Sequence, residues 1–336
     1  MPVTISDLNL RPATLDDASL VADLDTLRDP EDATDPVRLQ HWWRMADELE
    51  KGIRRLAVRD GAAIARLSAV HELWEGEEER YGTIRVALRD DVWSDELYTQ
   101  LVKLGEDWLR GETAATAVVR IREDFVRELA VLERLGYRED RRSRVSELDL
   151  VGRRSQILAG REESRRRMQD QGVDLLVVSE DADAEKFRKL YAMTNESEKD
   201  IPTTVPWRVL SFDEWMKFWF ENPAVREDRF WVARDGDAVV GCSVLDYPIV
   251  RGVPWTVYTG TSRAVRGRGI AGALKYESMG QAIEAGFKRV RTNNDADNPP
   301  ILHINEQMGY RLVSAIIELH RGLGASPSDG FAGTSS

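Results

Sequence analysis

The chain has 336 residues, of which 42% are hydrophobic and 32% charged, and a formal net charge of −12. That length exceeds one ordinary core and suits two, and the composition is that of a folded chain. The negative charge opposes binding to nucleic acid or anionic lipid, and no apolar run approaches the roughly 20 residues that cross a bilayer. Met1 to Asp7 lacks a basic-then-apolar leader pattern, so a cytoplasmic protein is expected. The single cysteine, Cys242, cannot form an intramolecular disulfide, and with four scattered histidines it offers no metal-ligand spacing, so no metal is expected.

In chain order, the first strong signal is a hairpin at Arg55 to Ala65, where Asp60-Gly61 separates apolar runs. Further on, Leu132 to Arg138 reads as a helix that ends in Gly136-Tyr137 and passes into a strand. Arg-rich stretches at Arg138 to Arg144 and Arg153 to Arg167 carry interspersed acids and read as solvated faces; residues 152–171 form a polar, helical connector. The second half repeats both landmarks. Phe230 to Gly236 answers the hairpin, and Asn305 to Arg311 answers the Gly-Tyr junction through Gly309-Tyr310. The displacements nearly agree, at about 175 residues for the hairpin and about 173 for the junction, which marks an internal duplication.

For the second half the pattern predicts helices at Ala182 to Asn195 and Ser211 to Glu221. Strands follow at Arg229 to Arg234, Ala238 to Asp246 and Trp255 to Thr261, then helix Gly269 to Gly286, strand Arg289 to Thr292, helix Pro299 to Met308 and strand Ala315 to His320. The domains expected are 1–151 and 172–322, joined by 152–171; the polar tail from 323 to 336 is expected to be disordered.

Between the third strand and its following helix lies Arg266-Gly267-Arg268-Gly269-Ile270-Ala271. Glycines let the backbone approach an anion, and the following helix points unpaired amides and its positive dipole end at the same place. Arg266 and Arg268 can add charge-assisted hydrogen bonds, so the loop suits a diphosphate. It has neither the Gly-x-Gly-x-x-Gly spacing of dinucleotide folds nor the Gly-Lys-Ser/Thr of a Walker loop.

Residues 180–320 resemble the GNAT acyltransferase superfamily, whose loop reads Arg/Gln-x-x-Gly-x-Gly/Ala; Arg266, Gly269 and Ala271 match it. Asn298 to Tyr310 is similar to the family's second cofactor segment. The resemblance implies two tandem α/β (α+β) domains, each a mixed, mainly antiparallel central sheet flanked by helices, in a mycothiol synthase-like arrangement. It implies acetyl-coenzyme A as acyl donor, held by the loop amides, with Thr259, Gly260 and Thr261 against the pantetheine and acyl carbonyl and Asn298 on the pantetheine arm. Many members carry a tyrosine four residues before the Gly as acid for the departing thiolate. Here that position is Asn305, which can hydrogen-bond but cannot act as an acid. The first half keeps the layout without the loop: Trp93, Glu96 and Tyr98 fall where Arg266, Gly269 and Ala271 stand, Asp95 and Glu96 would repel a diphosphate, and Leu132 replaces Asn305. It reads as a degenerate copy.

The expected activity is N-acetyl transfer to a primary amine of a small molecule, by a monomer or homodimer. The alternatives are a non-catalytic coenzyme A-binding or partner-binding scaffold, which Asn305 keeps open, and an enzyme modifying protein amino termini or lysines. Asp246 can take the amine's proton or stand at a solvent-facing strand end, and Tyr258 can face the acyl group or fill the core. Strand parity groups Tyr258 with Thr256 and Gly260. Between the first two helices of the second half, Glu196, Asp200 and Trp207 can recognise a cationic amine or form a solvated loop. His303 points away from Asn305 on its helix, and Trp215, Phe218, Trp219 and Phe220 read as core packing or a domain contact rather than a ligand box.

Overall fold

The computed structural model describes residues 4–72, 79–206 and 208–324. In chain order the elements are β1 (Arg11–Pro12), α1 (Ala18–Arg28), α2 (Pro36–Leu49), β2 (Glu50–Arg59), β3 (Ala62–Glu72), β4 (Tyr81–Leu88), α3 (Asp95–Gly111), β5 (Thr116–Arg122), α4 (Val126–Arg134) and β6 (Arg138–Asp149). The series continues with α5 (Arg154–Asp170), β7 (Val173–Val177), α6 (Lys186–Glu198), α7 (Phe212–Phe220), β8 (Phe230–Asp235), β9 (Ala238–Asp246), β10 (Trp255–Thr261), α8 (Ile270–Glu284), β11 (Arg289–Asp295), α9 (Pro299–Met308) and β12 (Arg311–Gly322). Strand β7 is an element that the sequence pattern did not mark. Of the tail expected to be disordered, residues 325–336 lie outside the described residues. Among the described residues no helix is long and apolar enough to cross a membrane.

The chain divides into two compact units, Met1–Arg142 with Ile316–Ser336, and Ser143–Ala315. The domains expected from the sequence follow the repeats; the units do not, because the closing strands are exchanged. Ile316–Gly322 of β12 runs antiparallel to β5, while Ser143–Asp149 of β6 runs antiparallel to β11. The first unit's sheet is ordered β1-β2-β3-β4-β5-β12 and the second's β6-β11-β10-β9-β8-β7. In each, the pairs are antiparallel except one: β4 with β5, and β10 with β11.

The two hairpins close differently. Asp60 and Gly61 both take positive φ between the paired Arg59 and Ala62, as a type I′ turn requires. In the second hairpin the paired residues are Asp235 and Ala238, and Gly236 supplies the positive φ. The aligned Asp-Gly pairs therefore serve turns one residue out of step. Both Gly-Tyr junctions also use positive φ, at Gly136 and Gly309, which end α4 and α9.

The second unit packs apolar residues on both faces of its sheet. On one face Val232, Cys242 and Val244 meet Leu190, Met193, Trp215 and Trp219 of α6 and α7, so the aromatic stripe is core as read. On the other, Leu245, Met279, Ile283, Met308 and Tyr310 form one cluster, and Val240, Ile270, Ala273 and Leu274 another. Helix α5, where the polar connector was expected, lies on α8. The fully buried Glu277 accepts from Arg161 at 2.6 Å and from Arg165 at 2.8 Å, and Arg161 also reaches Glu284. Removing one member of a buried ion pair leaves an uncompensated charge, which costs about 3–5 kcal/mol. Glu277→Ala is therefore expected to lower unfolding free energy by about that amount in urea titrations, whereas loss of less than about 1 kcal/mol would mean that α5 is not held by this pair.

Candidate acyl-transfer site

Strand β10 lies inside the sheet of the second unit, yet none of its residues is buried, while β8 and β9 beside it are almost wholly so. The cause is the shortness of its pairing with β11, which consists of Trp255 with Arg291 and Thr256 with Thr292. Beyond Thr256 the strands part and β10 keeps only β9, from Tyr258 to Thr261. Its amides and carbonyls on the β11 side are left to face an open wedge with Thr256 at its apex.

A bulge at Val257 sets which side chains face which way. Thr256 pairs with Leu245, but Tyr258 pairs with Val244, so alternation resets by one residue. Tyr258 shares a face with Gly260, as expected, but not with Thr256, which corrects the parity read from the sequence. Thr256, Thr259 and Thr261 face α8, and Tyr258 faces α6. The absence of a side chain at 260 matters, because a Cβ there would come within 2.6 Å of the Tyr258 hydroxyl.

At its far end β10 runs into the loop before α8. Gly267 and Gly269 have φ of 80° and 82°, values costly for any other residue. Gly269 is the N-cap of α8 and no side chain caps the helix, so the amides of Ile270 and Ala271 point outward without a side-chain acceptor. The first unit differs at the equivalent helix: Ser94 caps α3 by accepting from the Leu97 amide, and Asp95 and Glu96 occupy the first turn. Of the two loop arginines, Arg268 is tied down by Asp235 at 2.6 Å and by Gln171, and so anchors the loop. Arg266 is exposed and bonded to Asp200. A third guanidinium was not singled out in the sequence: Arg167 of α5 lies over Gly269, 3.3 Å from where a Cβ would sit.

On the α6 face, Tyr258 and Ser197 share a hydrogen bond of 2.6 Å, and the phenol, largely buried, has its pKa pushed upward chiefly by desolvation. Trp219 meets it edge-on. Asp246, read as a possible strand-end residue in solvent, is instead 1% exposed. Glu198, at the end of α6, has its pKa raised to about 7 by burial, and its charge reaches both Tyr258 and Cys242. Glu196 and Asp200 turn toward the loop: Glu196 accepts from the Arg263 amide, and Asp200 binds the Arg263 and Arg266 guanidinia, which hold its carboxyl well below the usual range. Trp207 lies outside the described residues.

On the α8 and α9 face, Asn305 is buried and donates to Asn294 at 2.7 Å, leaving its own carbonyl without a hydrogen-bond partner. Asn298 is the half-buried N-cap of α9, and His303 is exposed and bonded to Gln307. Tyr310 bonds the Met279 sulfur and lies beside Thr256. Over its ring, at 5.1 Å from the centroid, stands the ammonium of Lys275, which is completely buried and has no hydrogen-bond partner. Burial alone lowers its pKa to about 7. Lys275 was missed in the sequence because it sits beside the apolar stripe of α8; the repeat carried the clue, since pairing Leu101 with Leu274 sets Lys275 against Val102. Among the described residues Asp140, Glu318 and His320 come close enough to hold a metal ion, with His320 already bonded to Glu318.

A parallel strand pair that parts and opens onto an uncapped, glycine-lined helix start can take an extended arm ending in a diphosphate. Residues 188–310 match the acetyltransferase (GNAT) family, and the fold of the chain is similar to that of tandem GNAT proteins. Its fold is similar to a GCN5-related N-acetyltransferase from Sphaerobacter thermophilus, 19% identical over 94% of this chain and 95% of that one, with a TM-score of 0.66. It is also similar to a tandem GNAT protein from the clavulanic acid biosynthesis pathway, 12% identical over 95% and 99% of the two chains, with a TM-score of 0.70. No curated protein matches the sequence.

The half-buried Glu198 and the buried Lys275 impose opposite pH dependences. Glu198 has a folded pKa above its ordinary 4.5, so its ionisation lowers stability progressively as pH rises from about 4.5 to about 7. Lys275 has a folded pKa below its ordinary 10.5, so the folded chain sheds a proton that the unfolded chain keeps, and stability rises with pH between about 7 and 10.5. Lys275→Met is expected to remove the rising limb, whose slope is at most about 1.4 kcal/mol per pH unit, and to raise Tm at pH 7. Thermal melts across pH 6 to 9 check this, and an unchanged profile would show that Lys275 is solvated.

Proposed function

We propose that the second unit transfers an acetyl group from acetyl-coenzyme A to a primary amine of a small molecule, and that the first unit has lost this activity. The observation that carries the reading is the open edge of β10 leading to the uncapped start of α8. An extended amide-containing arm can add to that edge as a strand would, with a diphosphate at the loop. From Thr261 to Thr256 the edge is about 16 Å long, at the usual rise per residue.

In this reading Ile270 and Ala271 offer amides to the diphosphate, Gly267 and Gly269 permit close approach, and Arg266 and Arg167 supply charge. Arg266 must exchange Asp200 for phosphate, so the loop carrying Asp200 is free to move when the donor binds. Thr259, Gly260 and Thr261 line the arm's path, with Asn298 across the wedge, and Arg268 keeps the loop in place through Asp235.

The acceptor approaches from the α6 face, where the carboxylates lie. Glu198, half-buried and with a pKa near neutrality, is suited to remove the amine's proton, and Asp246 is a second, buried carboxylate on that side of β9. Tyr258, held by Ser197, positions the acyl end of the wedge. Asn305 orients its neighbours through Asn294 and supplies no proton.

Titration calorimetry with coenzyme A tests the cofactor site. Arg266→Ala is expected to weaken binding by roughly 10- to 100-fold, the range for a lost charge-assisted hydrogen bond. Gly269→Val should weaken binding further while circular dichroism keeps its native form. Arg167→Ala should cost less than Arg266→Ala, and its effect should shrink as salt is raised. Equal affinity in all four proteins would exclude the loop.

A further inference from the structure

We propose that Lys275 is the acid that protonates the departing coenzyme A thiolate, in the place left by the missing tyrosine at Asn305. The proposal deepens the acyl-transfer reading and depends on it.

An ammonium with no hydrogen-bond partner in a close-packed interior is an anomaly, because buried charges are ordinarily paired. Lys275 has only the face of Tyr310, a contact that favours a cation without neutralising it. The same helix that presents its N-terminus to the diphosphate carries Lys275 six residues on, facing the sheet. Tyr310 connects it to Thr256, where β10 and β11 part and where the sulfur end of an arm along β10 must stop. The other polar side chains on this face of β9 and β10 are hydroxyls, Ser243 bonded to Thr259 and Thr256 at the apex. Of the charged groups that α5 brings to α8, Arg161 and Arg165 hold Glu277 and Arg167 lies over Gly269 at the helix start, and from β8 the Trp231 indole reaches the helix at Gln281. No charge of either sign therefore contributes to the shift in its pKa. The first unit, which lacks the loop, has Val102 at the equivalent position, so the buried lysine and the cofactor loop occur together and are lost together.

The faces of the sheet divide the chemistry. The amine comes from the α6 side, and its lone pair forms the C–N bond. The C–S electron pair passes to sulfur, which takes a proton from Nζ of Lys275 on the α8 side. The amine's proton goes to Glu198 and then to solvent, and Lys275 regains one from solvent, so that amine and thioester become amide and thiol. A lysine with a pKa near 7 can both hold and release a proton under these conditions, as an ordinary lysine cannot.

Coenzyme A itself is the probe. Its thiol is titrated while bound, by thiolate ultraviolet absorbance, in the full-length chain and in Lys275→Met, with affinity measured in parallel. Methionine matches the lysine stem in size, so the variant should fold and bind coenzyme A within about threefold of the parent. The bound thiol is expected to titrate at least about one unit below free coenzyme A in the parent, and at or above the free value in Lys275→Met. On a panel of amines, Lys275→Met should lose roughly 100-fold or more in kcat, with KM for acetyl-coenzyme A little changed. Equal thiol titrations in two proteins that both bind coenzyme A would overturn the role of Lys275 while leaving the acyl-transfer reading intact. Failure of the parent to bind coenzyme A would overturn both.

Discussion

The structure of the second unit turns on two residues of parallel pairing. A sheet gains when its strands pair along their full length, because every unpaired amide and carbonyl must otherwise find water or a ligand. Here β10 joins β11 only at Trp255 and Thr256, and the bulge at Val257 bends it away. The result is an interior strand with a free edge, a place where an extended molecule can complete the sheet. Thr259 to Thr261, Asn298 and the loop before α8 matter because they line or end this opening. The first unit has the same parting, between β4 and β5 after Thr83, but its helix start is capped by Ser94 and made acidic by Asp95 and Glu96. The same architecture thus reads as a site in one unit and as scaffold in the other through a handful of side chains.

Around the opening, the arginines are divided by task. Arg268 fastens the loop to the β8–β9 turn through Asp235, so the positive φ of Gly267 and Gly269 is supported from below. Arg266 is held by Asp200, an exchangeable partner, and Arg167 leans over the helix start. Helix α5 can deliver Arg167 only because Glu277 draws Arg161 and Arg165 onto α8. Within a stretch of arginines that looks like solvated surface in the sequence, Arg161 and Arg165 thus form a structural clamp, and Arg167 is brought to the helix start.

The two faces of the sheet hold desolvated groups of opposite kind, a half-buried carboxyl and a buried ammonium. On the α6 side a carboxyl is desolvated toward neutrality, and on the α8 side an ammonium is desolvated toward neutrality. Each shift weakens the fold near pH 7, and neither is relieved by a partner of opposite charge. Groups poised in this way cluster where protons are exchanged. In the proposed reaction, their placement on either side of the wedge would separate proton removal from proton delivery.

The duplication, the glycine loop, the order of strands and helices in the second half and the acidic helix start of the first copy were all legible in the sequence. Each is encoded locally, by periodicity, by Gly and Asp at turns or by residues close together in the chain. The exchange of β6 and β12 was not legible, since a closing strand carries no mark of which sheet edge it joins. Nor was the bulge at Val257, which separated Tyr258 from Thr256, or the burial of Asp246 and Lys275. Asp200 and Glu196 were read as amine-binding or as a solvated loop; Glu196 instead lies in α6, and both turn toward Arg263 or Arg266, partners more than sixty residues away. Residue type and spacing determine which elements form and which loop can hold an anion; which charges are cancelled, and which are left unpaired beside the reaction path, depends on contacts between distant segments that only packing creates.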